Sequence, residues 1–158
     1  MAFNLISIVV RRFNNNVDDK SKAAGIMPIS VKSGRILLAL RPDGTYSTIG
    51  GYLCWGEKFS EGAMREFIEE TLYTGPLLLL KGYTYQSPVK NFAYVNYVGI
   101  CPDEFHPKLD EENIEAEWFT LSQLYAGGLP LKREFEEFLF EARPLIDSLI
   151  ENFGILTP

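Results

Sequence analysis

Glu66, Glu69 and Glu70 stand three and four residues apart, which on an α-helix places their carboxylates on one face. Like charges at that spacing repel one another and weaken the helix unless cations bind them. Hard divalent cations are the matching partners, since magnesium takes a few carboxylate oxygens and leaves positions for water and substrate phosphate. Clustered glutamates on a helix most often mark a solvated face, so the neighbours decide. Phe59, Ala63 and Phe67, with Met64, Ile68 and Leu72, form a broad apolar face that would anchor the other side of the helix in a core. Gly50 and Gly51 lie just upstream and allow a tight backbone turn from which a carbonyl could face the same cation. Glu57 and Arg65 offer an opposite-charge pair able to clamp that loop to the helix. Arg65 also stands four residues after Glu61, an ordinary surface pairing.

The run Gly51, five residues, Glu57, seven residues, Arg65-Glu66-Phe67-Ile68-Glu69-Glu70 resembles the Nudix box. In that box a glycine and a glutamate at the same spacing precede R-E-U-x-E-E-x-G-U, where U is bulky and apolar. The match holds at nearly every fixed position over the 23 residues from Gly51 to Tyr73. Two positions depart. The family's glycine after the helix is Leu72, and the proline common ahead of the two glycines is Ile49. The resemblance implies an α/β fold, a Nudix-like α/β/α sandwich with a mixed β-sheet and a catalytic loop and helix. It implies hydrolysis of a phosphoanhydride bond in a nucleoside diphosphate linked to another moiety, such as a nucleoside triphosphate, nucleotide sugar or ADP-ribose. It also implies Mg2+ or Mn2+ as cofactor. Carried over, Glu66, Glu69 and Glu70 would be catalytic metal ligands joined by the Gly50 carbonyl, while Gly51, Glu57 and Arg65 would hold the motif together. The family often adds an acidic residue from a later loop. Here that loop offers Asp110, Glu111, Glu112, Glu115 and Glu117 ahead of Trp118, with Glu112 favoured and Glu115 second. Glu69 or the loop glutamate is the candidate base. The alternative is a non-catalytic nucleotide-sensing or interaction module with the same fold, although the box keeps all its acidic residues.

The elements that must position these groups follow from patterning. Phe3 to Arg11, Ala23 to Ser30 and Arg35 to Arg41 read as strands, with Lys32, Ser33 and Gly34 at a hairpin turn and Arg12 to Ser21 as a polar loop. Ser60 is the expected N-cap of a helix to Leu72, with Gly75 and Pro76 stopping it. Leu77 to Ser87, Phe92 to Cys101 and Ala116 to Thr120 read as strands, and Leu121 to Tyr125 as a helical turn. Leu131 to Arg143 reads as an amphipathic helix, restarted by Pro144. Residues 1–158 make one domain, with an N-terminal strand and polar loop at 1–22 and a C-terminal helical segment at 131–158.

Arg41 and Tyr85 are the candidate contacts for the rest of the substrate, Arg11, Arg12 and Lys81 further cations, and Tyr83, Tyr94, Tyr97 and Phe92 further aromatics, most of them expected to pack the sheet. A net charge of −6 argues against non-specific nucleic-acid binding, which needs clustered Lys and Arg. The expected partner is a small nucleotide; the oligomeric state stays open, a homodimer included. Cys54 and Cys101 read as core thiols, not a disulfide framework. His106 alone builds no triad. Apolar runs are too short to span a bilayer, and Met1 to Val10 lacks the basic start of a signal peptide. A cytoplasmic protein is expected.

Overall fold

Ala23 to Ser30 are buried without a break, because this strand has partners along both edges and helices over both faces. The computed structural model describes residues 17–108 and 115–155. Among the described residues the strands are β1 (Asp18–Ser30), β2 (Ile36–Leu40), β3 (Tyr46–Ser47), β4 (Ile49–Cys54), β5 (Leu78–Gln86), β6 (Ala93–Cys101) and β7 (Glu115–Phe119). The helices are α1 (Phe59–Thr71), α2 (Leu121–Tyr125), α3 (Arg133–Glu141) and α4 (Arg143–Asn152). β6 runs parallel to β1 along one edge. β4 and β2 share its other edge, antiparallel, pairing with its early and late parts. β5 extends the sheet beyond β6, and β3 and β7 both pair with β2. The result is the mixed sheet expected from sequence.

Side-chain alternation sends the two sets of buried residues to opposite faces. Ala24, Ile26 and Val95 meet Ala63 and Phe67 of α1. Met27, Ile29 and Val98 meet Phe135, Phe138 and Ile146 of α3 and α4. The helix bearing the carboxylates is therefore fixed by its apolar side, on the face opposite the C-terminal pair.

Several boundaries differ from expectation, each for a local reason. The stretch read as a polar loop divides: Asp18 to Ser21 belong to β1, while residues 12–16 lie outside the described residues, as does the expected strand Phe3 to Arg11. Ser21 donates both its N–H and its hydroxyl to buried Asp19, at 3.0 and 2.6 Å, and this local loop of bonds shapes a bulge in the pairing with β4. The N-cap of α1 is Lys58, not Ser60; the Lys58 N–H donates to Glu61 at 3.2 Å. At the C-terminal segment, Leu131 bridges to Tyr46 and the Lys132 N–H donates to the Tyr46 carbonyl at 2.9 Å, which delays α3 until Arg133. Pro144 sits in the first turn of α4, where its missing donor costs nothing.

The exit of α1 is the largest departure. Gly75 and Pro76 do not stop it. Leu72 itself takes the left-handed conformation (φ 56°), and its N–H closes on the Ile68 carbonyl at 2.8 Å. The Thr71 hydroxyl donates to the Phe67 carbonyl and accepts from the Tyr73 N–H, which fixes the same turn. Leu72 also does not face the core; it is 55% exposed. A branched side chain in that region is strained, and little packing is lost by removing it. Leu72→Gly should stabilise the fold by about 0.5–1 kcal/mol, the relief of strain outweighing the extra freedom of glycine in the unfolded chain. Thermal denaturation checks this; a lower Tm would contradict it.

Candidate functional site

Arg65 is the organising cation of the carboxylate helix. It is 6% exposed, and its guanidinium reaches four groups. Nε and Nη2 donate to the two oxygens of buried Glu57, at 2.8 and 3.1 Å, and Nη2 also donates to the Tyr52 carbonyl at 2.9 Å. Nη1 donates to Glu66 and, at 3.1 Å, to Glu69. Glu57 in turn accepts from the Cys54 N–H at 2.9 Å. Burial works to lower the Arg65 pKa, but the Glu57 hydrogen bonds and the Glu66 and Glu57 charges outweigh it and leave the pKa raised. The clamp between loop and helix expected from Glu57 and Arg65 is thus present, and it extends to two of the three acidic side chains above it.

Gly50 and Gly51 are extended residues of β4 and not the turn expected of them. What they supply is close approach. A Cβ on Gly50 would collide with the Ala24 carbonyl of the neighbouring strand, and one on Gly51 would lie 2.6 Å from Glu66 Oε2. Without those side chains, the acidic side of α1 can lie against the β4 backbone.

Glu70 is 1% exposed, and its Oε1 faces Arg41 Nη1 at 3.8 Å. Arg41 also donates to the Ser47 hydroxyl at 3.0 Å and to the carbonyls of Thr48 and Gly50 at 3.2 and 3.0 Å. One arginine therefore joins the Gly50 carbonyl to Glu70.

A cleft of about 510 Å³ opens beside this group. Gly50, Gly51, Glu66 and Arg41 line its inner end. Tyr52, Phe92 and Tyr94 form an aromatic wall, with Tyr52 and Phe92 edge to face at 6.3 Å. Lys20, displayed at the β1 bulge, sits 4.1 Å above the Tyr52 ring, in range of a cation–π contact. Tyr94 lies at the floor, where its hydroxyl meets that of Thr48 at 3.1 Å, and burial pushes its pKa up to about 12. Lys132 and Glu134 close the cleft from the start of α3, and Lys132 reaches Asp43 across the mouth at 3.3 Å.

The sequence-based candidates divide accordingly. Gly50, Gly51, Glu57, Arg65, Glu66, Glu69 and Glu70 come together, and Arg41 reaches the same centre. Tyr85 packs with Ala23 and Tyr94 and does not line the cleft. Asp110, Glu111 and Glu112 lie outside the described residues; Glu115 and Glu117 are exposed on β7 and do not line the cleft. Arg11 and Arg12 are outside the described residues too, while Lys81 and His106 are exposed and not among the lining residues. Trp118 donates to the Phe105 carbonyl at 3.0 Å and packs on its ring. Cys54 and Cys101 are buried free thiols, and burial raises the Cys101 pKa to about 12. Lys20, Thr48, Tyr52, Lys132 and Glu134 have no signal in the sequence that would single them out, because they converge only through the pairing of β1 with β4 and β6.

The donors here suit a hard cation: carboxylate oxygens of Glu66, Glu69 and Glu70 and the carbonyl oxygen of Gly50. Among the described residues no three His, Cys, Asp or Glu side chains are gathered into a ready-made cage. The physical reason is the two arginines, which draw Glu66 and Glu69 one way and Glu70 and Gly50 the other. The arginines offset repulsion that a divalent ion would otherwise have to relieve. The residues fit such an ion in the type of their donors and in the helical face that the three glutamates share.

A family model described as the NUDIX domain matches residues 19–141. Among curated protein sequences no significant match is found. Solved structures share the fold at low identity. The NUDIX domain of Shewanella oneidensis NrtR, in complex with ADP ribose, superposes with a TM-score of 0.66 at 13% identity, covering 91% of this chain and 99% of that one. The E. coli dihydroneopterin triphosphate pyrophosphohydrolase gives 0.64 at 17%, covering 86% and 99%. A C. elegans Ap4A hydrolase gives 0.63 at 18%, covering 81% and 98%. Among the described residues no helix is long and apolar enough to cross a membrane.

Proposed function

The chain belongs to the Nudix family, and from that premise we propose that it is a divalent-metal-dependent hydrolase that cleaves a phosphoanhydride bond in a nucleoside diphosphate linked to another moiety. The observation that carries this reading is the acidic side of α1, held by the buried Glu57–Arg65 clamp, with Glu66 close against Gly51 of β4 where both line the cleft. Relatives of the same fold are described as acting on a pterin triphosphate and on Ap4A, and one as binding ADP ribose. Each is a nucleotide-like compound with linked phosphates.

In this scheme Glu66, Glu69, Glu70 and the Gly50 carbonyl would hold magnesium or manganese. When bound, such an ion would supply charge neutralisation at the phosphate oxygens and make the attacking water more acidic. The chain's own residues supply the rest. Arg41 reaches the phosphates from the cleft wall while fixing the Gly50 carbonyl. Glu69, on the more open side of the helix, is the candidate acceptor of the water proton. Arg65 and Glu57 hold the helix in place, and positioning of this kind accounts for much of the rate in phosphoryl transfer. The aromatic wall of Tyr52, Phe92 and Tyr94 takes the organic part of the substrate.

The test is hydrolysis of a panel by the purified protein, with phosphate and pyrophosphate read separately. The panel holds nucleoside triphosphates, nucleotide sugars, ADP-ribose and dinucleoside polyphosphates, each with magnesium, manganese or chelator. Metal-dependent cleavage of at least one compound is expected, and chelator should abolish it. Manganese at a hundredfold excess over its Kd should also add about 2.7 kcal/mol of stability, roughly 5–10 °C in Tm. The absence of both cleavage and a thermal shift would leave the reading without support.

A further inference from the structure

Four carboxylates line the cleft, and three are engaged by cations or donors of the chain. Asp18 pairs with Lys20 at 2.9 Å. Asp43 accepts from Thr45 and faces Lys132. Glu66 is held by Arg65. Glu134 differs: among the described residues no hydrogen bond or ion pair engages its carboxylate, although it is half-buried at the cleft wall. Its backbone is pinned, since Asn96 Nδ2 approaches the Glu134 carbonyl at 3.5 Å and α3 begins at the preceding residue. Its charge bears on the Tyr94 hydroxyl at the floor of the cleft, together with those of Arg41 and Glu70. The side chain therefore borders the same space as the proposed chemistry, from the opposite element.

An ionised carboxylate only accepts hydrogen bonds. It repels phosphate, so its partner in the cleft has to be a donor on the organic part of the substrate. Two oxygens side by side match two adjacent N–H donors, and the paired, charge-assisted bonds are the strong ones. Of the common nucleobases guanine alone offers that pattern, through its ring N–H and neighbouring amino group. Adenine and cytosine present one donor beside one acceptor, and uracil flanks its donor with two acceptors.

We propose that Glu134 selects the substrate, and that the cleft favours a guanine-type base over the other common bases. This rests on the hydrolase reading for the reaction but not for the binding, and the two can be separated. Binding of GMP and of AMP to the whole chain is measured by titration calorimetry, for the wild type, E134Q and E134A. Cleavage of GTP, ATP, CTP and UTP with manganese is measured in parallel, as kcat/KM.

The wild type is expected to favour guanine at least tenfold in both assays. E134Q replaces one acceptor by a donor and should lower the guanine-to-adenine ratio at least tenfold, with Tm nearly unchanged because no partner in the fold is lost. E134A should lower guanine binding without favouring adenine. Equal binding of GMP and AMP by the wild type, no GMP binding at millimolar concentration, or an unchanged ratio in E134Q overturns the proposal. A protein that binds GMP through Glu134 yet cleaves nothing sinks the hydrolase reading alone.

Discussion

Glu70→Gln should abolish most hydrolysis, with a loss on the order of 10²–10³-fold or more in kcat/KM, while leaving the protein folded. The side chain is almost fully buried at the end of α1, beside the arginine that also holds the Gly50 carbonyl. Glutamine keeps the size and one acceptor but removes the charge a hard cation requires. Stability should hardly fall, for two reasons visible in the geometry. Arg41 keeps its bonds to Ser47, Thr48 and Gly50 when Glu70 is neutral. The loss of one negative charge also relieves repulsion among three glutamates on one helical face. Circular dichroism and a manganese titration complete the measurement: an unchanged spectrum, weakened metal binding and lost turnover are expected together. Full activity in Glu70→Gln would mean that the ligand set has been assigned to the wrong residues.

Much of this candidate site is legible in the sequence, and the reason is periodicity. Glu66, Glu69 and Glu70 share a face because a helix repeats every 3.6 residues, and Ala63 and Phe67 face the core for the same reason. The short helix Leu121 to Tyr125 is also where the sequence puts a helical turn, and the structure closes it with a reciprocal cap between Thr120 and Gln123. The exit at Leu72 is not legible. A leucine with positive φ breaks a local preference, and only the bonds of Thr71 and the anchoring of the helix impose it. For the two glycines of β4, flexibility suggests a turn, whereas the actual constraint is the neighbouring strand at Gly50 and Glu66 at Gly51. The cleft was least legible of all. Lys20, Tyr52, Phe92, and Lys132 with Glu134 come from four separate segments, and no local pattern records that β1 pairs with β4 on one side and β6 on the other. Tyr85 illustrates the limit. Its alternation was plain, but a strand aromatic can face either the cleft or the packing behind it, and the sheet's layers decide which.

Arg65→Ala is expected to behave differently from Glu70→Gln, losing stability and rate together. The substitution removes the donors to Glu57, Tyr52, Glu66 and Glu69 at once. Glu57, 9% exposed, loses both of its bonds to the guanidinium, while the bond from the Cys54 N–H stays. Breaking a buried pair in this way costs about 3–5 kcal/mol, or roughly 6–20 °C in Tm for a chain of this size. Arg65→Lys restores the charge but not the fork that spans both Glu57 oxygens and the Tyr52 carbonyl, so it should recover only part of the loss. Metal gives the discriminating readout. In the intact protein Arg65 competes for oxygens of Glu66 and Glu69, which the proposed cation also needs. With the arginine gone those oxygens are released while the Glu57 defect persists. Manganese should therefore raise the Tm of Arg65→Ala by more degrees than it raises that of the intact protein, yet leave it less stable overall. An equal manganese shift in both proteins would show that Arg65 and the cation do not share ligands, and the clamp would then be a purely structural device standing apart from the reaction.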